Sequence, residues 1–298
     1  MNSQARSESG RKKPLGKGLE TRILQESYER FSANPAGVVR CLTREFQGLR
    51  EDNSGQLALP PLSLTTIRSL MDLSIIMPVY NERATILAAI DDVLDTELPV
   101  SERELIVIDD GSTDGTVEEL RSRGESGDLR ILECPVNRGK GAAMRAGVEL
   151  ARGHTVALFD ADREYNPADI AKMLPQLDDE HTDAVFGTRM WQAHSAYSYW
   201  YVVGNRIINT TANVLFNAWL SDCCAGTKVM PTELFRSLRL REDGFAIEAE
   251  MTGRLLRHGA RIYEVPITYR ARGRGEGKKI YARDGLRILL TFLRCRVR

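Results

Sequence analysis

The chain lacks an excess of either charge: its 298 residues carry 41 Lys and Arg against 41 Asp and Glu, for a formal net charge of zero. A general nucleic-acid binder is normally basic, so that class is excluded. Lysine itself is scarce, with 8 of the 41 cations, the other 33 being arginine. Cysteine is scarce too. Cys41, Cys134, Cys223, Cys224 and Cys295 are odd in number, two are adjacent, and none forms a C-x-x-C pair. A disulfide framework and a zinc site are therefore not indicated, and a reducing cytoplasm is the simplest compartment. The four histidines are scattered, with no partner at ligand spacing. No window holds 18 uncharged apolar residues. The nearest, Tyr197 to Leu220, is broken by Gly204, Asn205, Arg206, Asn209, Asn213 and Asn217, and reads as a partly buried helix. The N-terminus, MNSQARSESGRKKPLGKG, has cations with no apolar stretch behind them, unlike a signal peptide. With 42% hydrophobic and 28% charged residues, wholesale disorder is excluded and an ordinary globular core is expected.

The chain divides by composition. Residues 1–18 read as a disordered basic tail and 19–71 as a helical extension and linker, with Pro60-Pro61 forbidding helix. From residue 72 the pattern changes. Apolar runs LSIIMPV (73–79), ELIVIDD (104–110), LRILECP (129–135), HTVALFDAD (154–162) and DAVFGT (183–188) alternate with helical stretches near 83–95, 114–123, 140–152 and 167–178. This predicts an α/β domain over 72–270, a mostly parallel sheet with helices on both faces. Residues 271–298 read as a basic Gly-rich loop and an amphipathic C-terminal helix. In such sheets ligands bind beyond the carboxyl ends of the strands. The chemistry should therefore follow each apolar run.

Four clusters do. After the first run stands Pro78-Val79-Tyr80-Asn81-Glu82, able to stack on and hydrogen-bond a base or ribose, although Asn81 is equally a plain helix N-cap. After the second comes DDGSTDGT (109–116). Burying Asp109 and Asp110 requires donors, which a base or ribose would supply, while Thr113 or Asp114 can cap the next helix. After the third comes Asn137-Arg138-Gly139-Lys140-Gly141, a Gly-rich helix entry suited to phosphate or to close packing, but matching neither a Walker loop nor a dinucleotide fingerprint. After the fourth come Asp160-Ala161-Asp162 and Glu164. Carboxylates two apart on a strand point the same way, and hard oxygens so placed suit Mg²⁺ or Mn²⁺; two loop acids facing water are the bland alternative. The set describes an enzyme using a metal and a nucleotide diphosphate. A nucleotide-sensing or scaffold protein is disfavoured because every metal and phosphate position is filled.

PVYNE, DDGSTDGT, NRGKGAA and DADREYNP together resemble glycosyltransferase family 2, and within it the polyprenyl- and dolichyl-phosphate hexose synthase branch. Gly187-Thr188-Arg189, Asn205-Arg206, Asp222 to Lys228, Gly244-Phe245 with Glu248 and Glu250, and Arg272 with Glu276 to Lys279 follow in that family's order. The resemblance covers about 72–290. It implies a GT-A fold and inverting transfer of a hexose from a nucleotide-sugar donor, UDP- or GDP-linked. By motif it places Pro78, Tyr80, Glu82 and Asp110 on base and ribose. Asp160 and Asp162, with Glu164, fall on the metal. Lys140 falls at the phosphate entry, and Ala161 lies within the metal motif. Arg272 and Lys278 fall on a mobile loop over the diphosphate. Arg189 and Arg206, with Thr210 one turn on, match acceptor-phosphate contacts.

If the acceptor is a hydroxyl, Asp222 or Glu250 must take its proton; if it is a phosphate, two arginines replace the base and Asp222 orients sugar hydroxyls or a cation. Polyprenyl phosphate is the first expectation, and a soluble acceptor (small molecule, natural product, protein or sugar) the second. The ten cations from Arg270 to Arg298, against Glu276 and Asp284, fit a last helix lying on an anionic leaflet from the cytoplasmic side. A helix docked on the domain fits equally. The first 70 residues carry no readable motif, and cover of the sheet edge, a homo-oligomer contact or partner recruitment are all open roles for them.

Overall fold

The computed structural model describes residues 73–190, 194–195, 199–271 and 282–297. The expectations for 1–18 and 19–71, and those for Arg272 and Lys278, lie outside the described residues.

Seven strands form the central sheet: β1 Leu73–Val79, β2 Arg103–Asp109, β3 Leu129–Glu133, β4 Thr155–Leu158, β5 Ala184–Thr188, β7 Lys228–Pro231 and β8 Ile262–Pro266. Their order is β3-β2-β1-β4-β7-β5-β8. Every neighbouring pair is parallel except those made by β7, which runs antiparallel to both β4 and β5. The reason lies in composition. β1 and β2 are Ile-, Val- and Leu-rich runs buried on both faces, which a parallel sheet under two helical layers requires. A short parallel ribbon pairs β6, His194–Ser195, with β9, Tyr269–Arg270.

Both faces are covered, as the sequence predicts. On one, Ile75, Met77 and Val107 meet Ile86, Ile90 and Val93 of helix α1 (Ile86–Asp95), Leu120 of α2 (Thr116–Arg123), and Ile170 and Met173 of α4 (Ala168–Met173). On the other, Ile76, Ile106 and Ile108 meet Met144 and Val148 of α3 (Lys140–Leu150), Phe235 of α6 (Thr232–Ser237), and Ile247 and Met251 of α7 (Ile247–Arg257). Each such side chain contributes about 1.5–3 kcal/mol by leaving water.

A third cluster joins α7 to α5 (Tyr199–Phe216) and α8 (Ala282–Val297) through Ile208, Ala212, Ala249, Ile288 and Phe292. Phe216 meets Phe292 edge-on at 6.3 Å. The last helix therefore does dock on the domain. Leu286, Leu290, Leu293 and Val297 nevertheless stay exposed. At 100° per residue these four span about 60° and lie opposite the buried Ile288, Phe292 and Cys295. Helix α8 thus has two apolar stripes, one packed and one open. None of the described helices is long and apolar enough to cross a membrane.

Candidate active site

The loops after β1 and β2 are knitted into one wall. The backbone N–H of Asn81 donates to Ser112 Oγ, that of Glu82 to Thr116 Oγ1, and that of Arg83 to Asp114. In return Asn81 Oδ1 accepts the Thr113 N–H. Asn81 adopts φ 51°, and α1 starts only at Ile86 behind Thr85, so Asn81 is a loop residue and not a helix cap. Asp114 Oδ1 accepts the Thr116 N–H at 3.0 Å, but the N-cap of α2 is Gly115, so neither Thr113 nor Asp114 is its cap residue. Pro78, Tyr80 and Glu82 line this wall, all part-buried.

Asp109 and Asp110 find their donors within the chain. Asp110 takes the N–H groups of Arg138 (2.9 Å) and Gly139 (2.7 Å), and Asp109 takes that of Ser112 (2.9 Å). Burial still holds the Asp110 carboxyl above its usual value. Asp109 Oδ1 is buried with no hydrogen bond among the described residues. The Gly-rich entry to α3 is likewise committed: besides Asp110, the Asp243 carbonyl accepts the Ala142 N–H at 3.1 Å. Gly141 serves close packing, since a Cβ there would sit 2.2 Å from the Glu242 carbonyl.

β4 ends at Leu158, so Asp160, Ala161 and Asp162 occupy a turn, not the pleat that the sequence predicts. Ala161 is buried. Asp160 lies against Gly226, where a Cβ would come within 2.2 Å of its Oδ2, and pairs with Lys140, whose Nζ is 2.7 Å from Oδ1 and 2.9 Å from Oδ2. Lys140 Nζ also lies 3.0 Å from Glu248 Oε1, an ion-pair contact rather than an aligned hydrogen bond. The other Glu248 oxygen meets the wholly buried Lys228 at 2.5 Å. Burial opposes ionisation of Glu248, but the two lysines outweigh it and hold the carboxyl below its ordinary range. Asp162 is half-buried, and its Oδ1 accepts the Glu164 N–H. Burial, and then the Glu164 carboxylate hydrogen-bonded to it, push the Tyr269 phenol well up.

Asp160, Asp162 and Glu164 do not converge; among the described residues no three acidic, histidine or cysteine groups are arranged to hold an ion. Mg²⁺ or Mn²⁺ needs only one or two carboxylates when substrate phosphates and water complete its shell. The residues fit a divalent cation on that footing, with the half-buried Asp162 as a carboxylate that could hold it. They do not fit a three-carboxylate cage.

Across the site, Asp222 is clamped by Arg189, with Nε to Oδ2 at 2.6 Å and Nη2 to Oδ1 at 2.8 Å. The guanidinium lies over the Tyr269 ring, 5.1 Å from its centroid. Burial would raise the Asp222 carboxyl; Arg189 carries it below the usual carboxylate value. Glu264 of β8 fixes the loop by accepting the N–H groups of Ser221 and Asp222. Glu250 stands two residues from Glu248, about 200° round the same helix, and is turned elsewhere. Its Oε2 accepts the N–H groups of Arg241 and Glu242, and its Oε1 pairs with Arg254 at 2.7 Å. Arg206 is exposed on α5 and forms no ion pair among the described residues. Lys228 and Glu248 entered the sequence reading only as members of motifs, and Glu264 escaped it, its one signal being a charge within the short strand β8.

Comparison with known proteins agrees with this geometry. Residues 74–239 match the model of glycosyl transferase family 2. Glycosyltransferase AglJ of Haloferax volcanii is 33% identical over 74% of this chain and 70% of its own length. Dodecaprenyl-phosphate galacturonate synthase of Rhizobium johnstonii is 29% identical, with 75% of this chain and 66% of that relative covered. Polyprenol monophosphomannose synthase of Mycolicibacterium smegmatis is 26% identical, with 78% and 87% covered. Glucosyl-3-phosphoglycerate synthase from Mycobacterium tuberculosis, solved with Mn²⁺, UDP and glucosyl-3-phosphoglycerate, superposes with a TM-score of 0.61 at 21% identity, covering 80% of this chain and 86% of that one. The GT-A fold expected from the motifs is the fold observed, and the chain belongs to glycosyl transferase family 2 as a glycosyltransferase.

Proposed function

We propose that the chain transfers a hexosyl group, with inversion, from a nucleotide-diphosphate sugar to a polyprenyl phosphate. The observation that carries this reading is the Asp222–Arg189 clamp. A hydroxyl acceptor needs a carboxylate free to take a proton. Asp222 is ion-paired with its pKa lowered, and Glu250 is committed to Arg254 and the 241–242 backbone. An acceptor phosphate is already anionic and needs no base. One of its oxygens bonds to the anomeric carbon as the bond to the diphosphate breaks, and that electron pair leaves with the diphosphate.

In this reading the wall carrying Pro78, Tyr80 and Glu82 takes the base and ribose. Asp110 shapes that pocket by holding the 138–139 backbone. Asp162 holds Mg²⁺ or Mn²⁺, which when bound neutralises charge on the departing diphosphate. Arg272 and Lys278 are assigned to the diphosphate by motif. Arg189 uses Nε and Nη2 on Asp222, so its remaining edge, with Arg206, is what meets the acceptor phosphate. The relatives named for dodecaprenyl-phosphate and polyprenol products support a lipid acceptor. So does the open stripe of α8, bordered by the exposed Arg287, Arg294 and Arg296 and suited to an anionic membrane surface.

The test is nucleoside diphosphate release by the full chain with Mn²⁺ and a panel of UDP- and GDP-sugars. Release on adding polyprenyl phosphate supports the reading; release that instead follows a soluble acceptor such as a phosphorylated small acid, or a sugar, overturns it. Asp162→Ala should lower turnover by about 100-fold or more, as expected for loss of a charge-stabilising group. Replacing Leu286 and Leu290 by Gln should reduce co-sedimentation with anionic vesicles, and unchanged co-sedimentation would remove the membrane face.

A further inference from the structure

Four charged side chains from four separate elements form a file that runs from the core to the ligand edge. Lys228 opens β7, Glu248 lies in α7, Lys140 opens α3, and Asp160 follows β4. The links are 2.5 Å for Lys228–Glu248, 3.0 Å for Glu248–Lys140 and 2.7 Å for Lys140–Asp160. Side-chain exposure rises along the file, from 0% at Lys228 through 6% and 14% to 21% at Asp160. The inner end is fixed three ways. Lys228 also donates to the Ala225 carbonyl, and its ammonium lies 4.8 Å from the Phe186 ring centroid. The outer end has no slack, since Gly226 leaves no room for a Cβ beside Asp160.

Such a file is a poor way to hold a fold together. A buried ion pair is often matched or bettered by apolar side chains of similar volume, and the surrounding cluster of Phe186, Met230, Ile247 and Met251 is apolar. What the charges add is direction. Each one fixes the next, and the last is a carboxylate two residues from Asp162.

We infer that Glu248 and Lys228 are positioning residues for the donor end of the site, acting through Lys140 to fix and neutralise Asp160 so that Asp162 is presented to the metal–diphosphate. This rests on the donor reading above. A Lys140 ammonium shared between two carboxylates keeps Asp160 in one orientation. Without Glu248 that ammonium has a single partner and follows Asp160 outward.

The test separates positioning from folding. Glu248→Gln alone leaves Lys228 buried without its full counter-charge and lowers the melting temperature. The double variant Lys228→Met/Glu248→Met removes both charges and should melt near the parent. Calorimetry with UDP and GDP, with and without Mn²⁺, is the readout. In the double variant the Mn²⁺-dependent affinity should fall about tenfold, the scale on which outer-layer partners tune metal sites. Affinity without Mn²⁺ should be unchanged. Lys140→Met, which leaves Glu248 paired with Lys228 and needs no core repacking, should lose at least as much of the Mn²⁺-dependent affinity. Parent-like Mn²⁺-dependent binding in both variants, or equal loss with and without Mn²⁺ in the double variant, overturns the inference. A parent chain that binds neither nucleotide with Mn²⁺ overturns the donor reading instead.

Discussion

The two halves of the sheet handle buried acids differently. Around β1 and β2, Asp109, Asp110 and Asp114 are held by backbone N–H groups of nearby loops. Around β5, β7 and α7, Asp222 and Glu248 are held by cations, and Glu250 by a cation and backbone together. The first solution gives a rigid wall whose acids are held in place by neutral donors. The second stores charge in ion pairs, of which Arg189–Asp222 and Lys228–Glu248 join residues distant in sequence and Glu250–Arg254 spans one helical turn. A nucleotide wall needs shape, whereas a centre that receives a diphosphate and a second anion needs cations kept in place. Under the function proposed above, the difference follows the two tasks.

The sharpest way to break this contrast is to remove a cation. Arg189→Met should cost about 3–5 kcal/mol by stranding a buried carboxylate. Asp222 has a lowered carboxyl in the folded chain, so its stabilisation is present above the ordinary carboxylate pKa and lost as pH falls below it. The melting gap between parent and variant should therefore be widest near neutrality and close on acidification through about pH 4. A gap independent of pH would mean that the pair carries no stability.

Gly226→Ala probes the seam between the halves. Its Cβ must displace the Asp160 carboxylate, so overpacking of about 1–3 kcal/mol should accompany a clear fall in Mn²⁺-dependent nucleotide affinity. Normal affinity would show that Asp160 can move without consequence. Glu250→Gln should cost about 1–2 kcal/mol while turnover per folded molecule holds, because a brace can be weakened without touching the reaction. A large loss of kcat with a normal melt would make Glu250 a base after all. The smallest effect belongs to the backbone-held wall. In Asp110→Asn one oxygen still accepts an N–H, so stability should fall by about 1 kcal/mol. A collapse there would erase the distinction between the halves.

These same contrasts explain what could be read from the sequence. The five apolar runs and the two helical layers were legible because burial on both faces leaves a local signature. The start of α1 was not, because residues 81–83 are drawn into hydrogen bonds with a loop some thirty positions away. Strand β7 is four residues long, opens on a lysine and closes on a proline, so no periodicity announces it. Motifs singled out Asp160, Asp162, Arg189 and Asp222, yet could not say that Asp160 pairs with Lys140 and Asp222 with Arg189. Lys140 meets Glu248 across more than a hundred residues, and only the folded sheet brings them together.

The placement of β7 also has a consequence for synthesis. It slots between β4 and β5, with Leu158 paired to Lys228, so the inner edge of β4 waits for a strand made 70 residues later. At ordinary ribosomal speeds that interval is roughly 4–14 seconds. Throughout it, the nascent β1–β4 sheet presents an unpaired apolar edge, the kind of surface that recruits chaperones or other nascent chains. The strand that seals the sheet also delivers Lys228, so the chain's most aggregation-prone stage ends before Glu248, Glu264 and Tyr269 are made and the site can be completed.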